Sequence, residues 1–402
     1  MTHIAVVGAG QAASALVFKL RALGHSGPIT VIGDEPALPY QRPPLSKAYL
    51  LGEMERERLF LKPQASYDEA NVTLRLGEKV TAIDPAARRL SIGGEDMSFD
   101  ELVLTTGSSP IRLPAAIGGD LAGVFCVRTL ADIDSMAPNF RQGQRVLIVG
   151  GGYIGLEAAA VAAKLGLDVT VVEMADRILQ RVAAPQTSDF FRALHEGHGV
   201  RILEGIGLSR LTGEGHVRQA ELSDGQTLDV DFVITGIGIR PNTALADQAG
   251  VALENGISTD AFGRCSAPHV WAAGDCASFP MGKTRVRLES VPNAIDQAEA
   301  VAANIMGADA PYVAKPWFWS DQYDVKLQIA GLNSGYDNVI VRAGDRPGSV
   351  SHWYYNGAHL LAVDAMNAPR DYMIGKRLIE AGKSPAPEVI AAPETVLKSL
   401  LK

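Results

Sequence analysis

RVLIVGGGYIGLEAAAVAAKLGLDVTVVE, running from Arg145 to Glu173, is the stretch that decides the fold. Val146 to Val149 is a short apolar run of the kind buried on both faces of a parallel sheet. Gly150, Gly152 and Gly155 follow in a G-x-G-x-x-G pattern, with Tyr153 and Ile154 opening an Ala-rich helix. That helix should stop at Gly166, a natural left-handed C-terminal cap. A second buried strand, Val169 to Val172, then delivers Glu173. The first glycine makes a tight turn, the second lets a pyrophosphate approach the backbone, and the third lets helix and strand pack closely. The helix N-terminus carries the phosphate charge and the terminal acid takes the ribose hydroxyls. A bare glycine pattern is often only a turn. Framed by strand, helix and acid, it is a dinucleotide site.

The chain opens with a second copy. Ile4 to Val7 reads as a strand, Gly8, Gly10 and Ala13 give G-x-G-x-x-A with Ala12 beside them, and a helix runs to about Gly24. The strand Ile29 to Ile32 leads to Asp34 and Glu35, either of which could hold a ribose; Asp34 is favoured. A single nicotinamide-dependent domain would need one such motif. Two of them imply a resident dinucleotide, FAD, and a visiting nicotinamide. The 402-residue length suggests two or three domains, and 47% hydrophobic with 20% charged residues is a soluble globular composition. No apolar run approaches the roughly 18 to 20 residues of a membrane helix. MTHIAVVGAG enters a strand at once, leaving no room for a signal peptide. Three scattered cysteines, Cys126, Cys265 and Cys276, fit a reducing cytoplasm and show no metal-ligand spacing. A net charge of −8 gives no reason to expect nucleic-acid binding.

Between the motifs, LPYQRPPLSKAYL (Leu38 to Leu50) is a Pro-rich turn entering a helix that Ser46 could cap. Leu102 to Gly107 and Phe232 to Gly238 are buried strands ending in glycine turns, and Val270 to Asp275 is a short strand delivering an acid. These exits divide the chain into a discontinuous FAD domain (1–110 and 239–316), a NAD domain (111–238) and an α+β C-terminal domain (317–402). In the last, Ser349 to Tyr355 and Ala358 to Ala365 form a hairpin about Asn356-Gly357, read as a type I′ turn, before a helix from Pro369 to Ala381. The fold class is α/β: two Rossmann-like domains plus an α+β domain.

The paired motifs, LVLTTG and VWAAGD resemble the flavoprotein disulfide reductase superfamily. RPPLSKAYL (Arg42 to Leu50), VRTLAD (Val127 to Asp132), RLESVPNA (Arg287 to Ala294) and PWFWSDQY (Pro316 to Tyr323) narrow the resemblance. With them the chain is similar to the NADH-dependent ferredoxin reductases of bacterial oxygenase systems, of the putidaredoxin reductase and aromatic dioxygenase reductase type. Disulfide reductases carry cysteines where this chain reads PPLSK, so electrons must leave to an external acceptor, and the three cysteines are read as small buried hydrophobes.

The resemblance implies Lys47 beside the flavin N5, Asp275 on the ribityl chain, and the helix N-terminus after Val291 at the flavin N1 edge, that helix spanning Asn293 to Met306. It implies FAD contacts for Arg42, Val80 and Arg128, and NAD contacts around Gly238. Glu157 either complements the dipole of the first helical turn or holds the nicotinamide; Glu289 is a similar case. Trp319 is either the aromatic at the flavin edge facing the partner or an ordinary core tryptophan. The implied partner is a two-iron, two-sulfur ferredoxin supplying a haem or Rieske oxygenase; by position along the chain, Lys283, Arg285, Arg287, Lys326 and Arg370 are the candidates for a local patch that meets it. Alternatives are a rubredoxin, quinone or small-molecule reductase, or an apoptosis-inducing-factor-like binding flavoprotein. The last expects insertions and basic segments that this acidic chain does not offer.

Overall fold

Ile4–Val7 offers no polar face, so both its sides must be covered. In the computed structural model, which describes Met1–Lys402, it is the central strand of a five-stranded parallel sheet. The order is Val270–Ala272, Glu101–Leu104, Ile4–Val7, Ile29–Gly33, Val72–Leu76. Alternate residues split between two cores. Ile4 and Val6 face the helices Gln11–Ala22 and Val291–Ile305, while Ala5 and Val7 face an antiparallel meander of Val80–Asp84, Arg89–Ile92 and Glu95–Ser98. These elements belong to a first compact unit, Met1–Gln41, Glu55–Ser109 and Ile239–Pro316.

A second unit gathers Arg42–Met54, Pro110–Gly238 and Trp317–Lys402. Its parallel sheet runs Val124–Cys126, Phe232–Thr235, Arg145–Val149, Asp168–Glu173, Arg201–Glu204. Leu147 and Val149 pack on another three-stranded meander, Leu208–Thr212, Gln219–Leu222 and Thr227–Asp229. The internal repeat therefore extends beyond the glycine motifs to strand order and meander. In one copy the edge strand follows the motif in sequence; in the other, Val124–Cys126, it precedes it. The segment Arg42–Met54 clusters with this second unit although both its flanks belong to the first.

The C-terminal part of the second unit is a five-stranded antiparallel sheet ordered Trp317–Gln322, Val325–Gly331, His359–Met366, Val350–Asn356, Asn338–Ala343. The helix Pro369–Glu380 packs on it; a Cβ at Gly375 would meet Val363 Cγ2 at 2.6 Å. Three local expectations are corrected. Asn356 pairs with His359, so the hairpin loop is Gly357-Ala358, and only Gly357 is left-handed (φ 55°), which is the pattern of a type II′ turn rather than I′. The late helix begins at Val291, because Ser290 accepts from the Asn293 N–H and Pro292 suits the first turn. Ser46 caps nothing: Pro44 precedes the turn Leu45–Tyr49, and the Ser46 hydroxyl is engaged elsewhere.

Buried polar groups join this sheet to the helix Pro185–Gly197. Thr187 Oγ1 lies 2.7 Å from His352 Nδ1 and donates to Asp364 Oδ2 at 2.8 Å, and Tyr354 donates to the same oxygen. Burial pushes the imidazoles of His352 and His195 down to about 4 and the Asp364 carboxyl up to about 6. Each histidine takes a proton on unfolding once the pH is below its ordinary value, so its contribution is complete above about 6.5 and lost as pH falls through 4. Asp364 acts oppositely, holding its proton longer when folded and weakening the fold as pH rises from about 4 through 6. Two groups outweigh one. Denaturant unfolding should show stability falling on the order of 3 kcal/mol from pH 6.5 to 4.5, and His352→Gln should remove part of that fall. An equal slope in the variant would contradict this account.

Candidate active site and dinucleotide cradles

The second-unit motif shows why each glycine stands where it does. Gly150 has φ 105°, and a Cβ there would sit 2.5 Å from the Gly236 carbonyl oxygen. At Gly155 a Cβ would lie 2.1 Å from the Gly150 oxygen, so helix and strand approach only because Gly155 lacks a side chain. Gly152 is different: a Cβ would meet nothing within 4 Å. It precedes the helix Tyr153–Lys164 and leaves the N-terminal amides open to an anion. Ile154 is 44% exposed at this mouth, and the Tyr153 ring packs 5.1 Å from Phe318. Glu173 ends the second strand, its carboxylate accepting from the Gly151 and Ala175 N–H groups at 2.7 and 2.8 Å. Gly238 (φ 110°) lies beside Ile111 and the Arg181 guanidinium. Arg177, the cation nearest Glu173 in sequence, donates instead to Ser188 Oγ and the Ala183 carbonyl.

The first unit repeats this geometry. A Cβ on Gly8 (φ 106°) would sit 2.2 Å from the Thr105 oxygen, whereas one on Gly10 would meet nothing within 4 Å. Ala13 is fully buried at the third position. Gly274 comes within contact of Ala12 and Ala294; a Cβ added to it would lie 3.2 and 3.8 Å from theirs. The structure thus gathers the glycine turn, the Gly274-Asp275 loop and the start of the helix at Val291, as a dinucleotide cradle with a second anchoring acid requires. Asp275 accepts from Ser108 Oγ at 3.0 Å. Asp34 is exposed just past its strand, while the Glu35 carboxylate is engaged by the Tyr40 hydroxyl. Val80 is 4% exposed, its side chain in the core, so that only its backbone is available to a ligand. Glu289 is exposed and paired with Arg287.

The second unit also brings Lys47 to Glu157. The turn Leu45–Tyr49 breaks direction at Lys47 (φ −132°, ψ −111°), and its ammonium lies 2.9 Å from Glu157 Oε1. Glu157 is 2% exposed, a position that is costly for a carboxylate without partners. Ser320 Oγ donates to Oε1 at 2.7 Å and Ser46 Oγ to Oε2 at 2.8 Å. As the fifth residue of its helix, Glu157 lies past the first turn, so the dipole-complementing role is excluded. Arg42 donates to the Arg128 carbonyl at 2.6 Å.

Trp319 is half-buried, with Trp317 at 5.6 Å and Phe318 at 6.4 Å; the core tryptophans are Trp271 and Trp353. Ser46, Ser320 and Gln322 stand inside RPPLSKAYL and PWFWSDQY, but neither motif marks them as partners around this carboxylate. The available signal was polar residues two apart in an otherwise aromatic strand, WFWSDQ, which share one face. Of the proposed docking cations, Arg285 and Arg287 are corrected. Arg285 binds the Thr259 and Ser278 carbonyls, and the Arg287 side chain is only 10% exposed, donating to the Asp275 carbonyl. Lys326 and Arg370 remain at the surface, beside Asp321 and Asp345. Cys126 and Cys276 are buried; Cys265 is half-buried, and all three are free.

Residues 2–298 match the family model for the pyridine nucleotide-disulphide oxidoreductases, and residues 317–401 match that of the reductase C-terminal domain. A ferredoxin–NAD(P)+ reductase from a Sphingomonas species is 44% identical over 94% of this chain and 94% of its own. The ferredoxin reductase for the CYP199A2 system from Rhodopseudomonas palustris superposes with a TM-score of 0.96 at 37% identity, covering 100% of both chains. The covalent putidaredoxin reductase–putidaredoxin complex gives 0.95 at 37% identity, covering 100% of this chain and 98% of that one. No helix is long and apolar enough to cross a membrane.

The two kinds of glycine separate by substitution. Gly155→Ala must push helix from strand, so both melting temperature and NAD+ affinity should fall, the latter about tenfold or more. Gly152→Ala should leave the melting temperature unchanged and still weaken NAD+ in calorimetric titration, because its Cβ would occupy only the ligand's approach. Normal affinity in Gly152→Ala would remove the phosphate from this helix start.

Proposed function

Since the chain belongs to the pyridine nucleotide-disulphide oxidoreductase family and carries a reductase C-terminal domain, we propose that it is an FAD-dependent NADH:ferredoxin reductase supplying an oxygenase. The observation that carries this reading is the content of Arg42–Leu50: a lysine held by a buried glutamate, and no cysteine. A dithiol exit is missing there, so electrons pass to an outside acceptor. Relatives named as ferredoxin reductases, and a neighbour in complex with putidaredoxin, support a ferredoxin as that acceptor, which we take to be of the two-iron, two-sulfur kind. Free cysteines and an NADH donor fit a cytoplasmic setting.

FAD, when bound, converts a two-electron donor into one-electron steps. The chain's residues bind and orient. Gly8, Gly10 and the following helix start receive the FAD pyrophosphate, Asp34 its ribose, Asp275 its ribityl hydroxyls, and Arg42, Arg128 and the Val80 backbone its remaining contacts. The helix start at Val291 turns its positive end toward the ring edge where reduced flavin carries charge. Gly150, Gly152, Tyr153, Ile154 and Gly238 form the NADH cleft. Glu173 exchanges its backbone partners for the ribose hydroxyls. Lys47 supplies a cation to the flavin ring. Glu157 keeps an acceptor lone pair for the nicotinamide carboxamide, which fixes the stacking distance that hydride transfer needs. Trp319, half-buried and flanked by aromatic rings, offers an apolar exit toward the ferredoxin. Exposed Lys326 and Arg370 supply short-range attraction that salt weakens.

Two measurements test this reading. With Arg177 engaged by Ser188 and backbone carbonyls, no guanidinium there answers a 2′-phosphate, and Glu173 repels it. NADPH should therefore give kcat/KM at least about tenfold below NADH, and equal values would overturn the Glu173 assignment. Trp319→Ala should leave NADH-to-ferricyanide turnover nearly intact while slowing ferredoxin-dependent cytochrome c reduction. Equal loss in both assays would make Trp319 a support of the cofactor pocket.

A further inference from the structure

Glu157 is the end of a longer chain of buried groups. Ser320, Gln322 and His195 are 0%, 1% and 0% exposed. Gln322 Nε2 lies 3.2 Å from Ser320 Oγ, its Oε1 lies 2.8 Å from His195 Nε2, and the Tyr323 hydroxyl lies 3.1 Å from His195 Nδ1. His195 belongs to the helix Pro185–Gly197, while Ser320 to Tyr323 run along the first strand of the C-terminal sheet into its turn. Beyond Tyr323 the line reaches the surface, where the His198 ring stacks on the phenol at 3.7 Å and 12°.

The protons in this line have one consistent arrangement. Glu157, paired with Lys47, only accepts, so the Ser320 hydroxyl hydrogen points to Glu157 Oε1. The Ser320 oxygen must then receive a hydrogen from Gln322, which sets its amide with nitrogen toward Ser320 and oxygen toward His195. Turning the amide over would leave two oxygens facing each other with no hydrogen between them. His195, kept neutral by burial, therefore carries its proton on Nε2 and accepts at Nδ1. Tyr323, its phenol pushed up by burial, supplies that hydrogen. Every donor points toward Glu157. Bonds aligned in one sense polarise each other, and a low dielectric strengthens each of them.

We propose that Ser320, Gln322 and His195 are positioning residues for Glu157, forming a hydrogen-bond chain of fixed direction that sets its carboxylate for the nicotinamide. The proposal rests on the reading of Glu157 as the acceptor for the nicotinamide carboxamide. Lys47 alone would draw Oε1 toward the ammonium. The Ser320 hydroxyl, itself held from behind, opposes that pull and keeps the free lone pair of Glu157 aimed at the ligand. Ser46 completes the hold on Oε2.

The test compares two ligands on the FAD-loaded protein by calorimetric titration: NAD+, and ADP-ribose, which lacks the nicotinamide. Glu157→Gln reports on the underlying reading. Ser320→Ala removes the last donor with little change in volume, and Gln322→Glu, in its ionised form, keeps the His195 bond but has no hydrogen for Ser320. Both should weaken NAD+ about three- to tenfold and leave ADP-ribose binding unchanged. Equal weakening of both ligands would mean general damage to the cleft and overturns the proposal. Unchanged NAD+ affinity in Ser320→Ala and Gln322→Glu, beside a sensitive Glu157→Gln, overturns the proposal alone. A silent Glu157→Gln overturns the carboxamide reading and the proposal with it. Ser320→Ala carries the test if Gln322→Glu does not fold.

Discussion

A carboxylate at 2% exposure has to be answered by donors, and Glu157 is answered from separate stretches of chain. Lys47 and Ser46 come from a short segment whose neighbours in sequence belong to the other unit; Ser320 comes from the first strand of the C-terminal sheet. This one residue explains why Arg42–Met54 groups with the second unit, and why the turn Leu45–Tyr49 breaks its direction at Lys47. Apolar contact between Leu156, Ile178, Leu327 and Met366 seals the side of this junction that faces the C-terminal sheet. Hydrophobic packing there supplies most of the free energy, while the ionic group fixes which residues meet.

Both units place the same two demands on backbone at their glycine motifs. A glycine turn must close against a neighbouring strand, where any side chain would strike a carbonyl, and the next glycine must face open space. The sheets that hold these turns share strand order and carry a meander on one face. What differs is the acid that follows. Glu173 ends its strand with its carboxylate stapled to backbone amides, whereas Asp34 stands exposed one step beyond its strand. A site that exchanges its ligand each turnover gains from an acid held ready; a permanent occupant can be bound by slower, more extensive contacts.

Motifs that act through the backbone were legible in the sequence, because glycine spacing and apolar runs report directly on turn and strand. The two parallel sheets, the late hairpin and the acid loop at Asp275 follow from such signals. Side-chain partnerships were not. Nothing in PPLSK announces that Ser46 donates to a residue of the second motif's helix, or that Glu157 lies past the first helical turn. Arg285 and Arg287 read as surface cations, yet nearby carbonyls claim them. The hairpin turn slipped by one residue because Asn-Gly suits one turn type locally, while cross-strand pairing of Asn356 with His359 chose another.

The order in which the pieces leave the ribosome differs from their order in function. The face of Ile4 and Val6 is covered in part by the helix Val291–Ile305, and the edge of their sheet is Val270–Ala272. The second sheet needs only residues from Val124 to Thr235. At roughly 5 to 20 residues per second, the first-made strand waits on the order of tens of seconds for its cover. The later-encoded sheet can therefore close first, and the N-terminal strands must pass that interval as uncovered apolar chain. A nascent chain of this kind presents its chaperones with the first unit rather than with the second unit's parallel sheet.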